Sequence, residues 1–154
     1  MKKLLLISLL FIANELFAQN TEPPKTTQKI LMSYKWSPID IYEEEDNETC
    51  FVTYTKTQEI DSATIDGELE VYIVPYYLSD TQDLVFDKNK VGKATTGKYM
   101  IQNVSADPKT ISTFTFEIIE LSGKKMVLKN LTPWVDAYTK TTTYLSSPKN
   151  PSKI

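Results

Sequence analysis

The sequence predicts an all-β protein: a single antiparallel up-and-down β-barrel of about eight strands, complete or incomplete, preceded by a short N-terminal helix. Short runs rich in β-branched and aromatic residues recur along the chain, and turn residues separate them. No segment of useful length with helical periodicity follows residue 34. An antiparallel sheet of this length would leave two exposed edge strands that could pair with other chains. Closure into a barrel removes both edges.

The first 18 residues are typical of a secretory signal peptide. Lys2 and Lys3 precede an apolar run at 4–12, and Ala18 offers a small residue at the cleavage position. That run is shorter than the roughly 20 residues that cross a membrane. We therefore expect export to the periplasm or beyond the cell, and no integral membrane segment after the signal is removed.

The mature chain is predicted to have three parts. Residues 19–28 are polar and contain prolines, which indicates a flexible leader. Residues 29–146 form the predicted barrel domain, and residues 147–154 a disordered tail. The domain begins with a helical turn or two at 29–34. Strands are then predicted around residues 35–45, 50–60, 68–74, 84–86, 98–104, 110–121, 125–131 and 134–145.

The centre of the domain contains a hairpin and a long connection. Asp66-Gly67 is a strong two-residue hairpin turn, and the strand after it places Leu69, Val71 and Ile73 on one face. Pro75 cannot donate to a ladder and marks an edge or an end of pairing. The next two residues, Tyr76 and Tyr77, must point to opposite faces, so only one lines the interior. Residues 78–98 are predicted to cover that end of the barrel as a lid.

The residue types that are missing exclude several classes of function. The chain has no histidine and no arginine, which removes Ser-His-Asp and Cys-His sites, most zinc sites and bidentate phosphate recognition. A net charge of −3 argues against nucleic acid as a partner. Cys50 is the only cysteine and cannot form an internal disulfide. We expect neither an enzyme nor a cofactor.

Three other patterns are weak. The acidic run at 43–48 and the stretch Asp87–Lys90 are better explained as solvated loops than as calcium sites. Glu117 and Asp136 could be imagined as paired catalytic carboxylates, but both more simply face solvent. The tripeptide 61–63 resembles a short bacterial O-glycosylation acceptor at Ser62.

The order of elements resembles a known family. A helical turn, a tryptophan that opens the first strand (ILMSYKW, residues 30–36) and an antiparallel meander are similar to the lipocalin-like domains of small secreted bacterial proteins. Residues 76–99 and 118–132 are similar to the central and C-terminal parts of such domains. The resemblance spans most of residues 29–145. It implies an eight-stranded barrel, and a structural role for Trp36 in the barrel floor. The family carries no general catalytic set.

In the wider lipocalin group a glycine stands two positions before that tryptophan, and an arginine of the last strand covers it. Here Tyr34 occupies the first position, and the chain has no arginine.

The aromatic residues are the remaining candidates for function. Tyrosine and tryptophan bury an apolar body while their polar tip seeks a partner, which suits a pocket. The candidate ligand-binding residues are Tyr54, Tyr72, Tyr76, Tyr99, Phe114 and Phe116. Trp36 and Trp134 are predicted to be structural. We expect an exported, non-catalytic protein that holds a small hydrophobic or amphipathic molecule in the barrel. The alternative is a filled barrel that serves as an interaction module of the cell envelope, with a protein partner that the sequence does not identify.

Overall fold

The computed structural model describes residues 26–39, 49–105, 107, 109–133 and 141–149. The predicted signal peptide, most of the leader and the acidic run at 43–48 lie outside these residues. So do Trp134 and Asp136.

The described residues form a closed, eight-stranded antiparallel barrel, which confirms the predicted fold class. Each strand pairs with the next in sequence, and β1 pairs with β8 to close the barrel. One helix, α1 (Thr27–Ser33), precedes the strands. The strands are β1 (Tyr34–Pro38), β2 (Thr49–Tyr54), β3 (Gln58–Ile65), β4 (Glu68–Ser79), β5 (Tyr99–Asn103), β6 (Thr113–Leu121), β7 (Lys125–Asn130) and β8 (Thr141–Pro148).

One end of the barrel is filled and covered by α1. Thr26 caps the helix by accepting a hydrogen bond from the Lys29 backbone N–H. The inward side of the helix buries Leu31, whose carbonyl oxygen accepts a hydrogen bond of 3.0 Å from Trp36 Nε1. We call the buried set at this end the floor cluster. Its members are Leu31, Trp36, Val52, Tyr54, Tyr76, Leu78, Met100, Met126 and Leu128.

Trp36 is part of the floor cluster. It is fully buried. The ring of Tyr34 packs edge-on against it, with 5.6 Å between ring centroids. A tyrosine therefore covers the tryptophan here.

The predicted hairpin at Asp66-Gly67 is present. Asp66 and Gly67 both have positive φ angles, of 52° and 83°, as a tight turn of this kind requires. The turn joins β3 to β4 with Ile65 opposite Glu68. Beyond it, Leu69, Val71 and Ile73 do share one face of β4, and that face is the outer one.

The predicted strand at 84–86 is absent from the connection between β4 and β5, and only the last part of this connection, around Ala94, packs against the floor cluster as a cover. Phe86 is buried against Tyr77 and Ile101 on the outer wall of β4 and β5. Its backbone N–H donates to Thr113 Oγ1 of β6 over 2.8 Å. The connection returns beside α1, where the Gln28 backbone N–H donates to the Thr95 carbonyl oxygen. The reason lies in Tyr77, whose ring points outward from β4. The connection packs against the outer wall because Phe86 buries that ring.

Two other strand boundaries differ from the prediction. The run 50–60 is two strands, because Thr55 Oγ1 accepts hydrogen bonds from the Thr57 and Gln58 backbone N–H groups and turns the chain. The last strand continues to Pro148 rather than ending at 145, so it extends into the predicted tail.

Candidate functional site: an acidic cavity in the open half of the barrel

A cavity of about 350 Å³ lies in the half of the barrel opposite α1. We call it the mouth cavity. Its lining comes from β1, β2, β3, β4 and β8. The lining residues are Pro38, Cys50, Val52, Glu59, Asp61, Ala63, Ile65, Glu70, Tyr72 and Tyr144.

Glu59 lies at the bottom of the mouth cavity. It points inward from β3 and is only 8% exposed. Gln102 of β5 reaches it across the interior and donates a hydrogen bond of 2.6 Å from Nε2 to Glu59 Oε2. Burial, and then the neighbouring Asp61 carboxyl, raise the pKa of Glu59 to about 8. At neutral pH this carboxyl therefore holds a proton for much of the time.

Asp61 is the next inward residue of β3. Its Oδ1 atom is buried, and no side chain or backbone group in the described ranges donates a hydrogen bond to it. Burial raises the pKa of Asp61 to about 6. A buried acceptor without a donor costs stability, and a bound donor would remove that cost.

Tyrosines form the aromatic part of the wall. Burial, followed by the charges of Glu59 and Asp61, raises the pKa of Tyr144. Beneath the cavity, in the floor cluster, burial and then Glu59 also raise the pKa of Tyr54 well above its ordinary value. At the rim, Tyr72 is 59% exposed and donates a 2.8 Å hydrogen bond to Glu70 Oε2.

The chemistry of the mouth cavity is one-sided. Its lining offers three carboxyl groups, and none of the described lining residues carries a positive charge. Such a wall favours a guest that donates hydrogen bonds or carries positive charge.

The structure divides the six predicted ligand-binding residues among four places. Tyr54 and Tyr76 fill the floor cluster, edge to face at 5.5 Å between centroids. Phe114 and Phe116 belong to the inward face of β6, where they pair with Gln102 and Met100. Tyr72 lines the mouth cavity.

Tyr99 lies elsewhere, and its prediction as an interior residue is wrong. It packs against the outer-wall cluster of Tyr77, Phe86 and Ile101. The reason is strand alternation, since its neighbour Met100 takes the inward position.

Sequence reasoning missed Glu59 and Asp61, although a signal for Asp61 was present. The two-residue turn fixes the register, which sets Asp61 opposite Tyr72. Opposed residues share a face, so a tyrosine predicted to line the interior implies an aspartate there too. The usual expectation that carboxylates face solvent hides this pair.

A wider groove of about 790 Å³ lies between the β4–β5 connection and the β5–β6 connection. It is lined by Val85, Phe86, Asp87, Lys88, Asn89, Asn103, Lys109 and Ile111. Its carboxyl, Asp87, already accepts a hydrogen bond from the Asn89 backbone N–H. We therefore favour the mouth cavity, where a buried acceptor still lacks a described donor.

Within the described residues, no group of three His, Cys, Asp or Glu side chains lies close enough to hold a metal ion. The described part of the chain also contains no helix long and apolar enough to cross a membrane.

No protein family model, no curated protein sequence and no solved structure matches this chain.

Proposed function

We propose that this protein is an exported, non-catalytic binder of a small amphipathic molecule that carries a protonated amine. The observation that carries the proposal is the buried Asp61 Oδ1 in the mouth cavity, which no described residue supplies with a donor. The resemblance to secreted lipocalin-like domains and the predicted signal peptide support export. The size of the mouth cavity lies at the lower end of the range for small-molecule sites, about 300–1,000 Å³.

Two features support an amine as the polar group of the ligand. An ammonium group donates three hydrogen bonds, which suits Asp61 Oδ1 and the Glu59 carboxyl beside it. Its charge would also favour ionisation of these two acids, which otherwise resist it inside the barrel. The ring of Tyr144 lies in the same wall and attracts a cation through its face.

The apolar part of the ligand would lie against the remaining lining. Val52, Ala63 and Ile65 offer aliphatic surface there. Burial of apolar area contributes about 25 cal/mol per Å², so about 200 Å² would contribute about 5 kcal/mol before the cost of association. Micromolar affinity is attainable on this basis.

The first experiment is native mass spectrometry of the mature protein purified from its own host. A reproducible extra mass that leaves on denaturation is expected. Calorimetric titration then compares n-octylamine, n-octanol and octanoate, which share a chain and differ in the polar group. We expect the amine to bind about tenfold or more tightly than the alcohol, and octanoate not to bind.

Variants locate the site. Glu59→Gln and Asp61→Asn are each expected to weaken amine binding by about tenfold or more. The matched control is Glu117→Gln, which removes the same charge from the outer wall, where Glu117 pairs with Lys98. Equal binding of octylamine and octanol would overturn the proposed preference for an amine. It would leave the proposal that the cavity binds an apolar chain intact.

The filled barrel remains the second candidate. The floor cluster supports it, because two of the tyrosines that could line a pocket are used there as packing. A bare chain in native mass spectrometry and no heat from any of the three titrants would favour this alternative.

A further inference from the structure

Within the described ranges, half of β4 pairs with a strand on one side only. Residues 68–75 pair with β3, but pairing with β5 begins at Tyr76, which lies opposite Gln102. Pro75 stands where the β4–β5 ladder would continue, and it has no N–H to donate. Across the described residues, no strand pairs with this edge of β4 between Glu68 and Val74.

The backbone of this segment presents hydrogen-bonding groups to the open side. The Tyr76 backbone N–H donates to the Thr57 carbonyl oxygen, toward β3, over 3.1 Å. Because N–H and C=O directions alternate along a strand, residues with even numbers face β3 here. The backbone groups of Leu69, Val71 and Ile73 therefore face the open edge.

The side chains of the same three residues form an exposed apolar stripe. Leu69, Val71 and Ile73 are 67%, 49% and 58% exposed on the outer wall. Their partners on β3 are Thr64, Ser62 and Ile60, all without charge. Edge strands usually carry lysine, proline or a bulge that prevents pairing, and residues 69–73 contain none of these.

We propose that this edge pairs with the same edge of a second copy of this chain, antiparallel, about a two-fold axis at Val71. This register sets Val71 opposite the partner's Val71. It sets Leu69 opposite the partner's Ile73, and Glu70 opposite the partner's Tyr72. Each chain thereby gains backbone partners for three residues, about six hydrogen bonds in all.

The sequence of β4 favours a second copy over an unrelated segment. Apolar side chains meet apolar side chains on the outer face in both directions, and no like charges stand opposite each other. Such self-complementarity is what a two-fold interface requires. The test of this proposal is separable from that of the proposed ligand, because Leu69, Val71 and Ile73 lie on the outer face and do not line the mouth cavity.

Sedimentation velocity over a concentration series tests the proposal. The mature protein is expected to dimerise. Val71→Lys would place two like charges on the axis and raise the dimer dissociation constant about tenfold or more. The matched control is Ile119→Lys, a β6 residue that is 55% exposed and should leave the dimer unchanged. A wild-type protein that stays monomeric at every concentration, or a Val71→Lys variant that dimerises as tightly as wild type, overturns the proposal.

A charge-pairing experiment tests the register. Val71→Lys and Val71→Glu should each dimerise more weakly than wild type alone and should form a tighter heterodimer when mixed, because residue 71 meets its own copy. No heterodimer on mixing would overturn the two-fold register. Circular dichroism checks that both Val71 variants are folded. If one of them is not, the pair Leu69→Lys and Ile73→Glu is used instead. Octylamine titration of the same variants is expected to match wild type, so failure of the dimer and failure of the ligand site are separate results.

Discussion

At the scale of the residue, Glu59 stabilises the fold at low pH and loses that contribution at high pH. Its pKa is raised from 4.5 to about 8 in the folded protein. Between these values the folded protein keeps a proton that the unfolded chain has released. The stabilisation is therefore complete below about pH 4.5 and is lost as the pH rises through about 8. Asp61, Tyr54, Tyr76 and Tyr144 face this carboxyl, together with the Gln102 amide.

Glu59→Gln should therefore raise stability at high pH. The amide keeps an acceptor for Gln102 and has no charge to bury. We expect little change in unfolding free energy near pH 5 and a gain of about 2–4 kcal/mol near pH 9. Thermal unfolding at both pH values measures this. Glu117→Gln should show no such difference. If wild type and Glu59→Gln lost the same unfolding free energy between pH 5 and pH 9, the raised pKa of Glu59 would be contradicted.

The hydroxyl of Tyr76 gives a second prediction. It donates a 2.9 Å hydrogen bond to the Thr55 carbonyl oxygen from the floor cluster. Tyr76→Phe keeps the ring and leaves that carbonyl without its donor. We expect a loss of about 1–3 kcal/mol in urea denaturation. Tyr72→Phe removes a hydroxyl that is bonded at the exposed rim, and it should change stability by less than about 0.5 kcal/mol.

At the scale of the element, the β4–β5 connection depends on one aromatic side chain. Phe86 is 6% exposed and lies 5.4 Å, centroid to centroid, from Tyr77. Phe86→Ala is expected to cost about 3 kcal/mol and to release this connection from the wall. Denaturation measures the first effect, and limited proteolysis between 81 and 91 measures the second. Val85→Ala, at a residue 67% exposed, should do neither.

The strands were predictable where turn chemistry and alternation agree. Asp66-Gly67 fixes the β3–β4 hairpin, and the alternation around Phe114 and Phe116 identifies β6. The break after Tyr54 was not visible, because a threonine side chain makes that turn without glycine or proline. Val85 and Phe86 look like strand residues, but tertiary packing on Tyr77 decides their conformation.

At the scale of the whole molecule, the barrel interior has a filled half and an open half. Sequence pattern predicted the barrel and several inward aromatics. It could not show which of these aromatic side chains fill the core and which line the cavity. That depends on which residues of different strands lie at the same height along the barrel axis. The hairpin register does place Asp61 on the same face as Tyr72, but the burial of the carboxyl pair follows from closure by β1 and β8 rather than from any local pattern.

The helix is expected to be essential to the filled half. A chain that begins at Thr26 keeps all of α1 and serves as the control. A chain that begins at Tyr34 should lose the buried Leu31 and the acceptor of Trp36 Nε1. We expect a loss of about 2–5 kcal/mol and binding of a hydrophobic dye by the exposed floor cluster. Equal stability of the two truncated chains would show that α1 contributes nothing to the floor.

The pairing of β1 with β8 also decides when the chain can fold. The Ser147 hydroxyl bonds to the Lys35 carbonyl oxygen across 112 positions of sequence. Contacts this distant form late, because the loop they close is nearly the whole domain. A chain still missing its last strand cannot close the barrel or bury its first strand. Until the last strand has been synthesised, the chain therefore remains without a finished barrel.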